Sequence, residues 1–262
     1  MKSKIITLSV LIAFLGPTSL YAKKEEEKWN EHKGSHFIIY YKNAPQDFVK
    51  SVEDSAEQYY DEITSNLGFT RYESWSFDDR ASIYIYDDSD HYIAESRQAN
   101  WSHGAASPQP KIIRTFPTAH GFFDSTLPHE LGHIIFREFV GFRAQMPLWF
   151  EEGVAMYQEK ARRFGANRTV QNAIKDGSFI SLPELSHVRL TNKTKPEVVD
   201  LFYAEAASIV YYLFSEQGDF RFVQFCRKLS EGNPFDWALK SVYIRFNSLE
   251  DLNKSWLSYL EK

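Results

Sequence analysis

Strand-like patterns are confined to the first half of this chain, and nearly everything after Ser125 has the apolar spacing of helices. Runs of aromatic and aliphatic residues over 36–41, 81–86 and 111–116 predict three strands. Between the first two runs, apolar residues at helical spacing predict a long helix over 45–68. A strand, a helix and a second strand in this order indicate a β-α-β unit at the start of the fold.

The second half of the chain is predicted to be helical almost throughout. The spacing of apolar residues and the positions of helix breakers predict helices over 126–140, 147–160, 168–176, 197–217, 219–230, 234–242 and 248–261. We therefore expect an α+β fold with a small N-terminal β-α-β lobe over about 35–120 and a mainly helical lobe over about 121–262. The two lobes are expected to form a single domain over 35–262, with a cleft between them.

The first 22 residues have the layout of a secretory signal peptide. Two lysines precede an apolar run over 5–15, and the small residue Ala22 stands at the expected cleavage site. The run is too short to span a bilayer, which takes about 20 residues. We expect cleavage after Ala22, a charged leader over 23–34, a secreted or periplasmic location, and no stable membrane anchor after cleavage.

Cysteine content and charge limit the classes of protein to which this chain can belong. Cys226 is the only cysteine, so a disulfide within the chain is excluded and the core must be stabilised by packing. The formal net charge is −5 and the sequence pI is about 5.9. A strongly basic nucleic-acid-binding protein is therefore excluded on bulk charge.

Two histidines four residues apart lie near the start of the helix predicted over 126–140. The spacing puts His129 and His133 on one face of the helix, where their ring nitrogens can meet at one metal ion. Glu130 projects about 100° round from His129, beside the ion rather than on it. The alternative is a helix with two core histidines. Two adjacent buried histidines need partners, however, and a cation is the usual solution.

A second motif supplies a carboxylate. In the helix that begins at Pro147, Glu152 falls on an apolar face, where a charge is costly unless it is paired or bound to a cation. Glu151 falls on the more polar side of that helix, so Glu152 is the preferred third ligand and Glu151 the alternative. A salt bridge from Glu152 to an arginine such as Arg143 is the structural alternative.

These motifs together resemble those of the gluzincin metallopeptidases. His-Glu-x-x-His is followed, after 18 intervening residues, by a glutamate within Trp-x-x-Glu-Gly-x-Ala. The closest similarity is to the peptidase MA-like family, which is related to the thermolysin and aminopeptidase N groups. The tail over 203–213 and the final helix also resemble that family, so the similarity covers about 35–260. It implies a zincin-like catalytic domain that hydrolyses bonds in a peptide or protein substrate, with Zn²⁺ held by His129, His133 and Glu152.

The chemistry of these residues agrees with the resemblance. Two imidazoles and one carboxylate leave the fourth position of a tetrahedral zinc ion open for water, as in catalytic sites. Glu130 can take the proton of that water and pass it to the leaving amine. The family's tail motif implies Tyr203 as a donor to the oxyanion of the transition state. The alternative donors are Tyr157, Tyr211 and Tyr212, and Tyr203 could instead be a core or rim aromatic.

The region before the zinc motif bears on specificity. In the related aminopeptidases, a Gly-x-Met-Glu-Asn strand carries a glutamate that holds the free amine of the substrate. The corresponding region here, 101–107, contains no acid, which favours endopeptidase action; Glu95 and Asp124 are the remaining candidates for such an acid. The strand over 111–116 is predicted to be an edge strand that pairs with an extended substrate.

Some parts of the site are not assigned by the sequence. A carboxylate that orients a ligating histidine is common at zinc sites, but the residue four positions after Glu152 is Met156. His103 and His120 have no ligand spacing to another histidine and are given surface or structural roles.

Two other functions remain open. One is a catalytically silent domain that binds peptide or cell-envelope material in the same cleft, although such a domain has no need of Glu130. The other is a zinc hydrolase that acts on a non-peptide amide.

Overall fold

A mixed five-stranded sheet begins the fold in the computed structural model, which describes residues 28–68, 74–160 and 165–262. The signal peptide predicted over 1–22 lies outside the described residues, as does the start of the charged leader. The strands are β1 (Asn30–Lys33), β2 (Phe37–Tyr41), β3 (Ala81–Ile85), β4 (Gly104–Ser107) and β5 (Ile112–Thr115). Their order is β1-β2-β3-β5-β4, in which β2, β3 and β5 are parallel and the two outer strands are antiparallel to their neighbours.

One face of the sheet is buried by the long helix α1 (Gln46–Asn66). Buried and partly exposed residues alternate along β2 and β3, because successive side chains of a strand point to opposite faces. Ile39 and Ile83 on the inner face are fully buried, as are Val49 and Val52 on α1. The helix α1 connects two parallel strands, as predicted for the β-α-β lobe.

The segment just before β2 differs from the prediction. The leader predicted over 23–34 is wrong at 30–33, because these residues pair with β2 as a strand. Trp29, directly before β1, packs edge-on against Tyr84 and Tyr86, with ring centroids 5.2 and 5.3 Å away. A short polar strand of sequence Asn-Glu-His-Lys carries no apolar alternation by which it could be recognised.

The strand predicted over 111–116 is present, but the prediction that it is an edge strand is wrong. This strand, β5, pairs with β3 on one side and with β4 on the other. The edge is formed by β4, whose sequence Gly-Ala-Ala-Ser lacks the β-branched and aromatic residues that mark strands. The outer backbone edge on this side of the sheet therefore belongs to Gly104–Ser107.

Helices, short helical turns and the segments that connect them make up the rest of the described chain. The helices are α2 (Ser89–Ser96), α3 (Leu127–Val140), α4 (Leu148–Tyr157), α5 (Ala166–Asp176), α6 (Leu182–Leu185), α7 (Pro196–Ser215), α8 (Asp219–Ser230), α9 (Phe235–Val242) and α10 (Leu249–Leu260). Every helix predicted after Ser125 is present, with ends that differ by three residues or fewer. The single-turn helix α6 was not predicted. The α+β class, with a sheet lobe followed by a mainly helical region, is confirmed.

The helix α7 lies in the core of the helical region. Length and hydropathy alone would let it cross a membrane, yet 61% of its apolar window is buried inside the protein. Its closest neighbour is α4, which approaches it at Gly153. A Cβ atom at Gly153 would lie only 2.3 Å from the carbonyl oxygen of Ala206, so the two helices can pack this closely only if Gly153 has no side chain.

Candidate metal centre

Two imidazole rings meet on one face of α3. The Nε2 atoms of His129 and His133 lie 3.2 Å apart, and the ring centroids are separated by 4.8 Å. The helix follows a π-helical turn over Phe122–Thr126 and has Pro128 in its first turn. Each histidine side chain is only 14% exposed. The spacing of four residues thus places both rings together, as predicted.

Glu152 reaches the same point from α4. Its Oε2 atom lies 3.4 Å from Nε2 of His129 and 3.6 Å from Nε2 of His133. One potential ligand atom from each of the three residues lies within 4.8 Å of the other two. The structure therefore brings together the three side chains predicted as metal ligands.

The alternative ligand, Glu151, is engaged elsewhere. Its carboxylate forms a bidentate ion pair with Arg137, in which Nε of Arg137 lies 2.6 Å from Oε1 of Glu151. Within the described ranges, no ion pair joins Arg143 to Glu152. Glu152 is thus the glutamate that faces the histidines.

The electrostatics of the cluster favour positive charge. Burial alone would lower the pKa of His129, but the nearby carboxylates of Glu152 and Glu159 outweigh it and raise that pKa to about 10. Burial alone would likewise raise the pKa of Glu152, whereas His133 and His129 hold it well below its usual range. Carboxylates that stabilise extra positive charge on two imidazoles are well suited to a divalent cation.

The donor set fits zinc. Two imidazole nitrogens and one carboxylate oxygen are a known ligand set of catalytic zinc sites. In the part of the chain that the structure describes, Oε2 of Glu152 is buried and accepts no hydrogen bond. Such an oxygen is costly to bury unless a cation satisfies it. His129, His133 and Glu152 would hold the ion.

A further carboxylate, Glu159, was missed by the sequence analysis. Its Oε1 atom lies 2.9 Å from Nδ1 of His129, and the residue is only 3% exposed. The position considered from the sequence lies four residues after Glu152, at Met156, whereas Glu159 lies two residues beyond the end of α4. The turn that follows the helix therefore places Glu159 beside His129, and helical spacing from Glu152 gives no signal for it.

Glu130 lies on α3 between the two histidines and is 7% exposed. The strand β4 passes directly beside it at Gly104. A Cβ atom at Gly104 would lie 2.7 Å from Oε1 of Glu130, so any larger residue would press on this carboxylate. Burial raises the pKa of Glu130, while His129 and His133 lower it. The predicted base thus lies beside the cluster and is not one of its three converging ligand groups.

A cleft of about 330 Å³ opens next to the cluster, between the sheet lobe and α7. Tyr203 lines it from α7, with its ring centroid 6.4 Å from that of His129. Two of the alternative tyrosines are engaged away from it. Tyr157 stacks on Phe214 at 4.2 Å, and the hydroxyl of Tyr212 lies 2.7 Å from Oγ of Ser255. Among the described residues that line the cleft, Tyr203 is the one tyrosine.

The cleft also contains polar residues that were not assigned to it from the sequence. His103 and His120 line its wall near β4, with ring centroids 6.1 Å apart. Asp200, an exposed residue one turn before Tyr203, lines the opposite wall. The lining residues in the described ranges do not include Glu95 or Asp124, the two acids that the sequence offered for binding a substrate amine. The residues that line the cleft are Asn100, Trp101, Ser102, His103, Gly104, His120, Ser125, Thr126, His129, Glu130, Glu159, Pro196, Val199, Asp200 and Tyr203.

Comparison by sequence identifies one family. The model of the Peptidase MA superfamily matches residues 75–262, which contain both motifs and the tail. No curated protein matches the chain.

Comparison by structure points to the same fold. Native yeast LTA4 hydrolase is similar with a TM-score of 0.53 and 17% sequence identity, over 89% of this chain and 39% of that enzyme. Yeast LTA4 hydrolase in complex with bestatin is similar with a TM-score of 0.54 and 16% identity, over the same shares of the two chains. The present chain thus spans well under half the length of these enzymes. At this level of identity the likeness concerns the fold alone.

Proposed function

This chain belongs to the peptidase MA superfamily and has a gluzincin-like fold, and we propose that it is a zinc-dependent metallopeptidase. The observation that carries the proposal is the convergence of His129, His133 and Glu152, with one donor atom of each within 4.8 Å of the other two. The predicted signal peptide leads us to propose a secreted or periplasmic enzyme.

The residues around the ligands have separate roles in this proposal. A zinc ion bound here supplies Lewis acidity, which polarises the carbonyl group of the scissile bond and makes a nearby water more acidic. The carboxylate of Glu130 acts as the general base, which takes a proton from the attacking water and delivers it to the leaving amine nitrogen. Its burial beside the cleft supports this role.

Glu159 and Tyr203 complete the constellation. Glu159 accepts a hydrogen bond from the Nδ1–H of His129, which fixes the tautomer so that the Nε2 lone pair faces the cluster. Tyr203 donates its hydroxyl proton in a hydrogen bond to the oxyanion that develops on the substrate. Its position on the cleft wall supports this assignment.

We propose that an extended peptide lies along the outer edge of β4. In the described chain this strand pairs with β5 on one side and has no strand on the other. Its first residue, Gly104, lies against Glu130, so a peptide added to this edge passes the general base. The substrate-binding edge is thus Gly104–Ser107 rather than the strand over 111–116 expected from the sequence.

We propose endopeptidase action because, among the described residues that line the cleft, no buried acid is available to a substrate amine. The acids on its wall are Glu130, Glu159 and Asp200. Glu130 is assigned as the base, and Glu159 is bonded to His129. Asp200 is exposed, so solvent weakens any charge pair that it forms.

The decisive experiment replaces the general base and leaves the ligands unchanged. We expect purified protein to carry about one zinc ion per chain, to cleave casein, and to lose the cleavage in a chelator. Glu130→Gln should retain the zinc and lose about 10²- to 10⁴-fold of the rate. Glu138→Gln on the same helix is the matched control, because Glu138 lies outside the cleft and bonds to Nε1 of Trp75.

The outcomes separate the competing functions. Zinc without cleavage of any peptide in a library would favour a silent binding domain. Cleavage of non-peptide amides alone would favour the third function. A Glu130→Gln variant with the wild-type rate would exclude Glu130 as the base.

A further inference from the structure

An ion pair joins the two helices that carry the proposed zinc ligands. Arg137 lies on α3, one turn after His133, and its guanidinium group binds both carboxylate oxygens of Glu151 on α4. The Nε–Oε1 distance is 2.6 Å. The side chains are only 17% and 19% exposed, so water competes weakly for this pair.

The same guanidinium group also holds the segment between the two helices. Its Nη1 atom donates a hydrogen bond of 2.7 Å to the carbonyl oxygen of Ala144. This segment, 141–147, connects α3 to α4. Arg137 thus fixes both the connection and the first turn of α4, where Glu151 lies.

Glu152 depends on this arrangement for its position. It directly follows Glu151 on α4, about 100° further round the helix axis. Within the described residues, its Oε2 atom accepts no hydrogen bond that would hold it in place. Its position relative to His129 and His133 is therefore set by the rotation of α4 against α3.

We infer that the Arg137–Glu151 pair is a positioning clamp, which sets the rotation of α4 so that Glu152 meets the two histidines at one ion. The inference rests on the proposed zinc site and deepens it. Among the described residues, neither Arg137 nor Glu151 belongs to the three ligand groups or to the lining of the cleft. Both act through the helices that carry the ligands.

The test measures zinc affinity, by competition with a chromogenic zinc chelator, in the full-length protein. We expect Arg137→Met to bind zinc about 10-fold more weakly than the wild type, a loss typical of removing a group that supports a metal ligand. Arg143→Met is the matched control, because Arg143 lies in the same connecting segment and should leave the affinity unchanged. The charge-swapped pair Arg137→Glu with Glu151→Arg should recover most of the lost affinity.

A second variant separates positioning from general stability. Val140→Ala truncates a buried side chain on the same helix and should lower the unfolding temperature while leaving both residues of the ion pair unchanged. It should bind zinc as tightly as the wild type well below that temperature. Equal loss of zinc affinity in Val140→Ala and Arg137→Met would overturn the clamp, because the effect would then follow stability alone.

The inference and the proposed function fail in different ways. If the wild-type protein binds no zinc, the proposed zinc site is wrong, and the clamp is wrong with it because there is no zinc ligand to position. If the wild-type protein binds zinc and Arg137→Met binds it equally well, only the clamp is overturned. Changes in the visible spectrum of bound Co²⁺ in Arg137→Met, compared with Arg143→Met, would support altered ligand geometry.

Discussion

Two glutamates on adjacent helices, each with a buried carboxylate oxygen, have opposite electrostatic environments. Glu152 on α4 faces two imidazoles, which hold its pKa well below the usual range although burial alone would raise it. Glu205 on α7 is fully buried, and the hydrogen bond that it accepts comes from the Ile180 N–H, at 2.8 Å from Oε1. Burial raises the pKa of Glu205 to about 8, although that hydrogen bond acts in the opposite direction.

The comparison shows that a buried carboxylate with an unsatisfied oxygen is not by itself a metal ligand. In the described chain, Oε2 of Glu152 and Oε2 of Glu205 are both buried and without a hydrogen bond. The difference lies in the neighbours, since Glu152 converges with two other ligand groups and Glu205 does not. Glu152 is therefore built to be charged, and Glu205 is built to hold its own proton at neutral pH.

The largest expected effect comes from changing each glutamate to glutamine and measuring bound zinc. Glu152→Gln should weaken zinc binding by more than about 100-fold, because the loss of a ligand exceeds the loss of a supporting group, which is 10- to 100-fold. Glu205→Gln should bind zinc as the wild type does. Metal analysis after dialysis against a weak chelator measures both. Equal zinc content in the two variants would remove the distinction between these glutamates.

Glu159 should give an intermediate effect. It contacts His129 and is not one of the three converging ligand groups, so Glu159→Gln should weaken zinc binding by about 10- to 100-fold without abolishing it. Glutamine keeps a carbonyl oxygen that can accept the Nδ1–H bond, whereas Glu159→Ala removes the acceptor. The alanine variant should therefore bind zinc more weakly than the glutamine variant. Equal zinc affinity in the two variants would show that Glu159 acts through its charge alone, because both variants lack that charge.

The sequence alone was sufficient to predict the helices of the helical region and the convergence of His129, His133 and Glu152. Amphipathic helices have a strong apolar periodicity, and the two motifs lie on α3 and α4, where helical spacing defines which side chains share a face. The two edge strands were missed because β1 is polar and β4 consists of small residues. Such strands are formed by pairing with neighbours that are distant in the sequence, and no local pattern records that pairing.

The parts of the site that depend on tertiary packing were not predictable in the same way. Asp200 and His103 line the cleft from segments nearly 100 residues apart, so their proximity follows from how the lobes pack. The pairing of Glu151 with Arg137 likewise depends on the angle between α3 and α4. Glu159 also depends on packing, because it lies beyond the end of α4 in the turn that brings it to His129.

Glu205 can be tested further through the pH dependence of stability. Between its ordinary pKa of 4.5 and about 8, the folded protein holds a proton that the unfolded chain has released. The free energy of unfolding should therefore fall as pH rises through this window, by up to about 1.4 kcal/mol per pH unit. The side chain at position 205 cannot ionise in Glu205→Gln, so this part of the pH dependence should be absent from the variant. The free energy of unfolding of the variant should therefore rise relative to that of the wild type towards pH 8.

Urea unfolding at several pH values between about 5 and 8 measures this difference. Asp61→Asn, on the exposed face of α1, is the control for removing a carboxylate that folding leaves in water. A plot of the unfolding free energy of Asp61→Asn against pH should run parallel to that of the wild type. A Glu205→Gln curve that is also parallel would mean that Glu205 has an ordinary pKa, and the contrast with Glu152 would then rest on geometry alone.

The smallest effect is expected at the exposed carboxylate of the cleft, Asp200. A buried charge pair with the substrate amine would be lost on acetylation of that amine, with a penalty of about 2–5 kcal/mol. An exposed pair is worth about 0–1 kcal/mol, because solvent screens it. A peptide of about ten residues should therefore be cut internally at similar rates with a free or an acetylated N-terminus, within about fivefold, and Asp200→Asn should remove any remaining difference.

Mass spectrometry of the products distinguishes internal cleavage from stepwise release of N-terminal residues. Stepwise release that acetylation abolishes, and that Asp200→Asn also abolishes, would make Asp200 the amine-binding acid of an aminopeptidase. An exposed carboxylate would then contribute as much binding energy as a buried one.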